Sequence, residues 1–154
     1  FRRVLFRSIC KEFDLGIHNN MFGGRIMSLL DDAAGSYASQ LCDTPRMVTI
    51  KVDELTFKKA VKVGSILKIY GRVVNFGNTS LRLYMEMRKH NVYTGEQEIV
   101  TSTNMTFVRI DEEGNAIPIS ERVKLRYDDR LKNFGKGLLT ADESTKEKER
   151  HTLN

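Results

Sequence analysis

Hydrophobic residues recur with a helical period over about residues 22–41. The apolar positions lie three and four residues apart, as on one face of an α-helix: Ile26, Leu30, Ala33, Ala34, Tyr37 and Leu41. Met27, Leu29 and Ala38 widen this face almost to a full circle. Pro45 ends the segment because proline cannot continue a helix. A helix with apolar residues on most sides is expected to be wrapped by other structure.

The apolar positions after this helix alternate with polar ones, a period of two that predicts β-strands. A strand begins at about Val48, and a later shift in parity predicts a bulge near Asp53 and Glu54. The clearest alternation, at about residues 79–90, places four apolar residues on one face of a strand: Leu81, Leu83, Met85 and Met87. The other strands are predicted at about residues 5–13, 65–75 and 97–110.

The predicted order is therefore one strand, one long helix and four further strands. Consecutive strands joined by short turns pair antiparallel. One face of such a sheet must be covered, and only the long helix can cover it. The sequence thus predicts an α+β fold in which an antiparallel sheet wraps around one central helix.

A chain of 154 residues is expected to form one domain, which we predict to span residues 9–134. A short helix is predicted within residues 120–134, with Ser120 as its N-cap. Residues 1–8 are interpreted as a possible non-native leader, since they are too short and too basic for a signal peptide. Residues 135–154 form a polar tail that is predicted to be disordered.

Composition and charge exclude several classes of protein. With 40% hydrophobic and 29% charged residues, the chain resembles an ordinary soluble protein, and no apolar run reaches the roughly 20 residues of a membrane span. The net charge of +5 would suit nucleic acid, a membrane surface or a phosphorylated small molecule. The cations are scattered among acidic residues, which argues against nucleic acid. Cys10 and Cys42 fit no zinc pattern, so we expect reduced core thiols, as in the cytoplasm.

Two glycines at the start of the long helix and one acidic residue within it suggest chemistry. The first N–H groups of a helix have no partner within it, and Gly23 and Gly24 lack a Cβ that would keep a carbonyl away. The helix dipole favours negative charge at this end, as an oxyanion hole requires. Asp31 follows two turns later in an apolar helix, where a buried carboxylate is costly without a partner or a function. The alternative for Asp31 is that it lies on the solvated surface of the helix without a function. This is our interpretation of the neighbouring Asp32.

The segment FGGRIMSLLDDAAG, residues 22–35, resembles the helix signature of the hotdog-fold acyl-CoA thioesterases. Three later segments resemble the same family: PRMVTIKVDELTFKKAVKVGSILKIYGRV, FGNTSLRLYMEM and NMTFVRIDEEGNAIPI. All four occur in order over roughly residues 8–120. The resemblance implies a hotdog fold and hydrolysis of acyl-coenzyme A to fatty acid and coenzyme A, in lipid metabolism. It also implies that no metal or cofactor is used and that the site lies between the subunits of a dimer, often within a trimer of dimers.

The resemblance also implies roles for individual residues. Asp31 matches the catalytic carboxylate, which activates water or attacks the thioester, and the amides of Gly23 and Gly24 match the oxyanion hole. Many members of the family have Asn where this chain has Gly16 and Gly where it has Asn19. Either Asn19 or Asn20 supplies that polar group here, or the water is held in another way, and Asn20 is the further catalytic candidate. Thr79 and Ser80 match a turn that contacts coenzyme A. From their chemistry alone, the other residues expected to bind the substrate are His18, Asn19 and Phe22, with Arg46 and Lys58 as cations for the coenzyme A phosphates. The alternative is a surface position for His18 and a solvated strand face for the two cations.

Two other functions fit part of this pattern. A hotdog dehydratase would pair a histidine with an acid beside a thioester carbonyl, as His18 and Asp31 could do, but the two glycines favour a thioesterase. A non-catalytic acyl-CoA-binding protein would keep the pocket and lose the carboxylate, so the presence of Asp31 argues against it. Release of free coenzyme A from an acyl-CoA distinguishes the three.

Overall fold

One long helix lies against a five-stranded antiparallel sheet in the computed structural model, which describes residues 3–133. The strand order in the sheet is β1-β3-β4-β5-β2, so that β1 and β2 form its edges. The elements are β1 (Arg3–Ile9), α1 (Gly23–Cys42), β2 (Met47–Val52), β3 (Ile66–Phe76), β4 (Ser80–His90) and β5 (Gln97–Arg109). The predicted α+β architecture is confirmed.

The helix α1 buries one face and leaves the other open. The buried residues are Ile26, Leu29, Leu30, Ala34, Tyr37, Ala38 and Cys42. Ala33 and Leu41, which were predicted within the apolar face, are only half-buried. The opposite face is polar and exposed, at Arg25, Ser28, Asp31, Asp32, Ser36 and Gln40. The expectation of a helix wrapped on most sides is therefore wrong for the single chain, because one sheet covers one face only.

The alternation in β4 was predicted correctly. Its four apolar residues, Leu81, Leu83, Met85 and Met87, are fully buried. Neighbouring strands add Leu67 and Ile69 from β3 and Met105 and Phe107 from β5, all nearly inaccessible to solvent. These side chains form the centre of the core, as the period of two requires for a sheet that packs on one side.

The predicted bulge lies at a different place. The pairing of β2 with β5 shifts register between Thr49 and Lys51, and β2 ends at Val52. The change of parity that suggested a bulge near Asp53 and Glu54 marks the end of the strand instead. The chain stays beside β5, because the Lys58 amide donates to the Val100 carbonyl at 2.8 Å.

The described residues divide into two compact units, 3–119 and 120–133. In the second unit, residues 121–133 are helical, and the Ser120 hydroxyl accepts a hydrogen bond from the Val123 amide at 3.4 Å. The predicted helix and its N-cap are thus confirmed. The predicted disordered tail, 135–154, lies outside the described residues.

The predicted first strand begins earlier than expected. Arg3–Ile9 forms β1 and pairs with β3, so most of the proposed leader, 1–8, takes part in the sheet. That these residues are non-native stays a prediction. Cys10 and Cys42 are buried free thiols, as predicted. Within the described part of the chain, no helix is long and apolar enough to cross a bilayer.

Candidate active site

The start of α1 presents two free amide groups. Phe22 is the N-cap, with φ of −63° and ψ of 131°, and its side chain makes no capping bond. The amides of Arg25 and Ile26 donate to the Phe22 carbonyl at 2.9 and 3.1 Å. The amides of Gly23 and Gly24 make no hydrogen bond with any group of residues 3–133. Both N–H groups are therefore available to an incoming carbonyl oxygen, at the positive end of the helix dipole.

Asp14 holds this helix start in place. One of its carboxylate oxygens accepts from the Lys11 amide at 2.9 Å, and the other accepts from Arg25 Nε at 2.8 Å. The Asp14 carbonyl accepts from the Phe22 amide at 2.9 Å. One residue therefore connects the preceding loop to both the N-cap and the first turn of the helix.

Asp14 is only 6% exposed, and burial by itself raises the pKa of a carboxyl group. The hydrogen bond from the Lys11 amide and the bond and charge of Arg25 act in the opposite direction and prevail. The pKa of Asp14 consequently lies below its ordinary value. The side chain is an anion at neutral pH, so both the Lys11 amide and the Arg25 guanidinium donate to a charged carboxylate.

The turn before the helix explains one departure from the family pattern. Asn19 has φ of 58°, in the left-handed region, which Asn adopts more readily than other residues with a side chain. The Gly16 amide donates to the Asn20 carbonyl at 2.8 Å across this turn. Asn20 Oδ1 is buried without a hydrogen-bond partner in the described residues. His18 is exposed on the turn, and no hydrogen bond connects it to Asp31 within one chain.

Two aromatic rings lie over the glycine pair. A Cβ on Gly24 would come within 2.5 Å of the Phe22 ring, and a Cβ on Gly23 would come within 3.2 Å of the Phe57 ring. A side chain on either glycine would therefore require the neighbouring ring to move, whereas glycine leaves both the rings and the amides where they are. A cavity of about 280 Å³ opens beside Gly23, with Asn20, Phe57 and Lys59 among its lining residues.

Asp31 lies on the exposed side of α1, although the sequence suggested a carboxylate enclosed by apolar residues. Successive residues of an α-helix are rotated by about 100° around its axis. Asp31 therefore points away from the direction of the preceding Leu30, which is buried against the sheet. The hydroxyl of Thr49, on edge strand β2, donates to Asp31 Oδ1 at 2.6 Å. Asp31 and Thr49 both line a second cavity, of about 330 Å³.

The candidate residues fall into separate groups within one chain. The two cavities share no lining residue, and Asp31 is seven residues after Gly24, about 10 Å along the helix axis. The free amides point out of the helix start, away from Asp31. A single thioester carbonyl therefore cannot meet both groups of the same chain directly.

The candidates for coenzyme A binding also lie apart. The Lys58 amide donates a hydrogen bond to the Val100 carbonyl of β5, whereas Ser80 of β4 pairs with Val108 of the same strand β5. Eight residues of strand place Lys58 about 26 Å from Ser80 and from the adjacent Thr79. Arg46 lies near the same end of β5 as Ser80, since the Ile110 amide donates to the Arg46 carbonyl. Its guanidinium pairs with Glu112 at 2.9 Å.

Sequence reasoning missed three residues that shape this region: Asp14, Thr49 and Phe57. Each acts through a contact with a residue 11 or more positions away. The alternation in β2 could have assigned Thr49 a face, but only the packing of α1 on the sheet shows that Asp31 is opposite. No group of three or more metal-ligating side chains occurs in residues 3–133.

Known proteins resemble this chain in sequence. A sequence model of the thioesterase superfamily matches residues 18–96. An uncharacterized acyl-CoA thioester hydrolase of Zymomonas mobilis is 36% identical over 107 residues, which are 70% of this chain and 71% of that protein. The human cytosolic acyl coenzyme A thioester hydrolase is 29% identical over 126 residues, which are 80% of this chain but 33% of that protein.

A solved structure is similar as well. A hexameric hotdog fold thioesterase of Campylobacter jejuni superimposes with a TM-score of 0.69 at 34% identity, over 79% of this chain and 92% of that one. The hotdog fold that the sequence motifs implied is confirmed by this likeness and by the helix packed on a five-stranded antiparallel sheet.

The anionic Asp14 gives a testable pH dependence. Replacing Asp14 with Asn should lower the free energy of unfolding at pH 7 by about 1–2 kcal/mol, because a buried charged hydrogen bond is lost while the exposed Arg25 limits its strength. The folded pKa is below the unfolded value of about 3.9. The stabilisation is therefore present above that value and is lost as the pH falls through the folded pKa.

Urea unfolding at neutral and at acidic pH measures this effect. The difference between wild type and Asp14→Asn should shrink in acid, whereas Glu12→Gln, in an exposed position of the same turn, should change little at either pH. An equal loss for Asp14→Asn at both pH values would contradict the role given to the charge.

Proposed function

This chain belongs to the thioesterase superfamily, and on that basis we propose that it hydrolyses acyl-coenzyme A to a carboxylic acid and free coenzyme A. The observation that carries the proposal is a helix start with two unpaired amides, in a fold whose helix also holds an accessible carboxylate. The names of the Zymomonas and human relatives support acyl-CoA as the substrate. Coenzyme A enters as part of the substrate, and no further cofactor is needed.

The amides of Gly23 and Gly24 would receive the thioester oxygen. Negative charge develops on this oxygen as the carbonyl carbon becomes tetrahedral, and fixed donors stabilise it without reorganisation. Asn20, which lines the cavity beside Gly23, would hold water or substrate next to them. Collapse of the intermediate breaks the carbon–sulfur bond, and coenzyme A leaves as the thiolate and takes up a proton.

Asp31 is the proposed source of the attacking group. As a general base it removes a proton from water, which then attacks the carbonyl carbon. As a nucleophile it attacks directly, and water hydrolyses the resulting anhydride. The hydrogen bond from Thr49 occupies Oδ1, and Oδ2, which makes no hydrogen bond with residues 3–133, can serve either route.

Two copies of the chain are proposed to share each site. Within one chain, Asp31 and the free amides lie too far apart and in different cavities. The edge strand β2 carries Thr49 and leaves Val48 and Ile50 exposed by 37% and 58%. A second copy that docks on this edge would approach Asp31. The hexameric Campylobacter relative supports self-association, for which we propose a dimer within a trimer of dimers, located in the cytoplasm.

Neutralising Asp31 tests its role. Asp31→Asn should lower turnover by about 10²-fold or more, since a positioned acid or base contributes that much. Asp32→Asn is the matched control on the next residue of the exposed helix face and should change the rate little. Coenzyme A release from acyl-CoA, followed with a thiol reagent, measures both, and similar losses in the two variants would contradict the assignment.

Mixed assemblies test the shared site. Gly23→Pro removes one amide donor at the first helical position, which tolerates proline, after an extended Phe22 that suits a following proline. Asp31→Asn and Gly23→Pro should each be nearly inactive alone. Co-expressed with two different tags and purified through both, mixed hexamers should recover about a quarter of the wild-type rate, because about half of randomly paired dimers are mixed and one of the two symmetric sites of each is then intact. No recovery would mean that each site belongs to a single chain.

A further inference from the structure

The cavity beside Gly23 has an apolar inner wall. Met21, Ile26 and Val61 line it and are nearly inaccessible to solvent, at 6%, 4% and 1% exposure. The free amide of Gly23 lies at the same cavity. A carbonyl oxygen bound at this amide would therefore place one of the two substituents of the carbonyl carbon against apolar side chains.

The chemistry of the two substituents determines which one fits. The acyl chain gains about 0.8 kcal/mol for each buried methylene group. The pantetheine arm on the sulfur side contains amides, which lose hydrogen bonds to water when they are buried without partners. The apolar wall therefore suits the acyl chain. At about 280 Å³ the cavity is smaller than most ligand pockets, which suits a short chain.

Phe57 lines this cavity next to Gly23. Its ring atoms lie 3.2 Å from the position of a Cβ on Gly23, and the side chain is 46% exposed. The backbone is held to β5 on both sides of it: the Thr101 hydroxyl donates to the Thr56 carbonyl, and the Lys58 amide donates to the Val100 carbonyl, each at 2.8 Å. The backbone that carries the ring is consequently held on the sheet beside the helix start.

We propose that this cavity binds the acyl chain and that Phe57 sets the length of chain it accepts, an inference that rests on the proposed function. The ring limits the space available beyond the carbonyl carbon. A smaller side chain at this position makes room for further methylene groups, and a larger one removes room.

The test uses two substitutions with opposite effects on the space. The ratio of kcat/KM for decanoyl-CoA to that for butanoyl-CoA should rise about tenfold in Phe57→Ala, a change typical of pocket contacts with one or two methylene groups. The same ratio should fall in Phe57→Trp. Phe57→Leu retains an apolar side chain and should shift the ratio in the direction of Ala, so it decides the matter if the Ala variant does not fold.

Phe13→Ala is the matched control, because Phe13 is 76% exposed and does not line this cavity; it should keep the wild-type ratio. An unchanged ratio in the Phe57 variants, or shifts in the same direction for Leu and Trp, would overturn the inference. Failure of the wild type to release coenzyme A from any acyl-CoA would instead defeat the proposed function. Hydrolysis with an unaltered chain-length ratio defeats the role of Phe57 alone.

Discussion

Close packing of a single helix on a single sheet is the constraint on which the rest of this structure depends. Ala34 and Ala38 are fully buried, and their small side chains let α1 approach the sheet closely. The larger residues Ile26, Leu30 and Tyr37 on the same face contribute most of the buried apolar area that stabilises the fold. With this face committed to the sheet, the remaining positions of the helix, including Asp31, must point outward.

The same packing creates a requirement at the helix start. A helix end leaves several amides without partners, and here those of Gly23 and Gly24 have no capping side chain, with Gly23 at the edge of a cavity. Asp14 compensates by holding the loop, the N-cap and Arg25 together through charged and backbone hydrogen bonds. The unpaired amides are therefore kept in a fixed position, which is the condition for stabilising charge in a transition state.

The separation of the candidate residues connects fold to assembly. The amides, the carboxylate and the cations lie on different parts of one chain, since the helix and the strands are long and the elements that carry these residues differ. An edge strand with exposed apolar residues runs beside the carboxylate. A site that is complete only when two copies meet accounts for both observations without any rearrangement of the single chain.

Periodicity in the sequence was sufficient to predict the long helix, the buried face of β4 and the sheet-and-helix architecture, because local spacing determines which residues share a face. The glycine pair and Asp31 could be selected as candidates for the same reason, since their types and order are visible in the chain. The predicted bulge was misplaced, because a strand end and a bulge disturb the period of two in the same way. Tertiary structure alone decided that Asp31 is exposed and that Thr49 lies opposite it. It also decided that Asp14 holds Arg25 and that Phe57 covers Gly23. These contacts join distant segments, and their geometry follows from how the helix is rotated and seated on the sheet, which no local pattern contains.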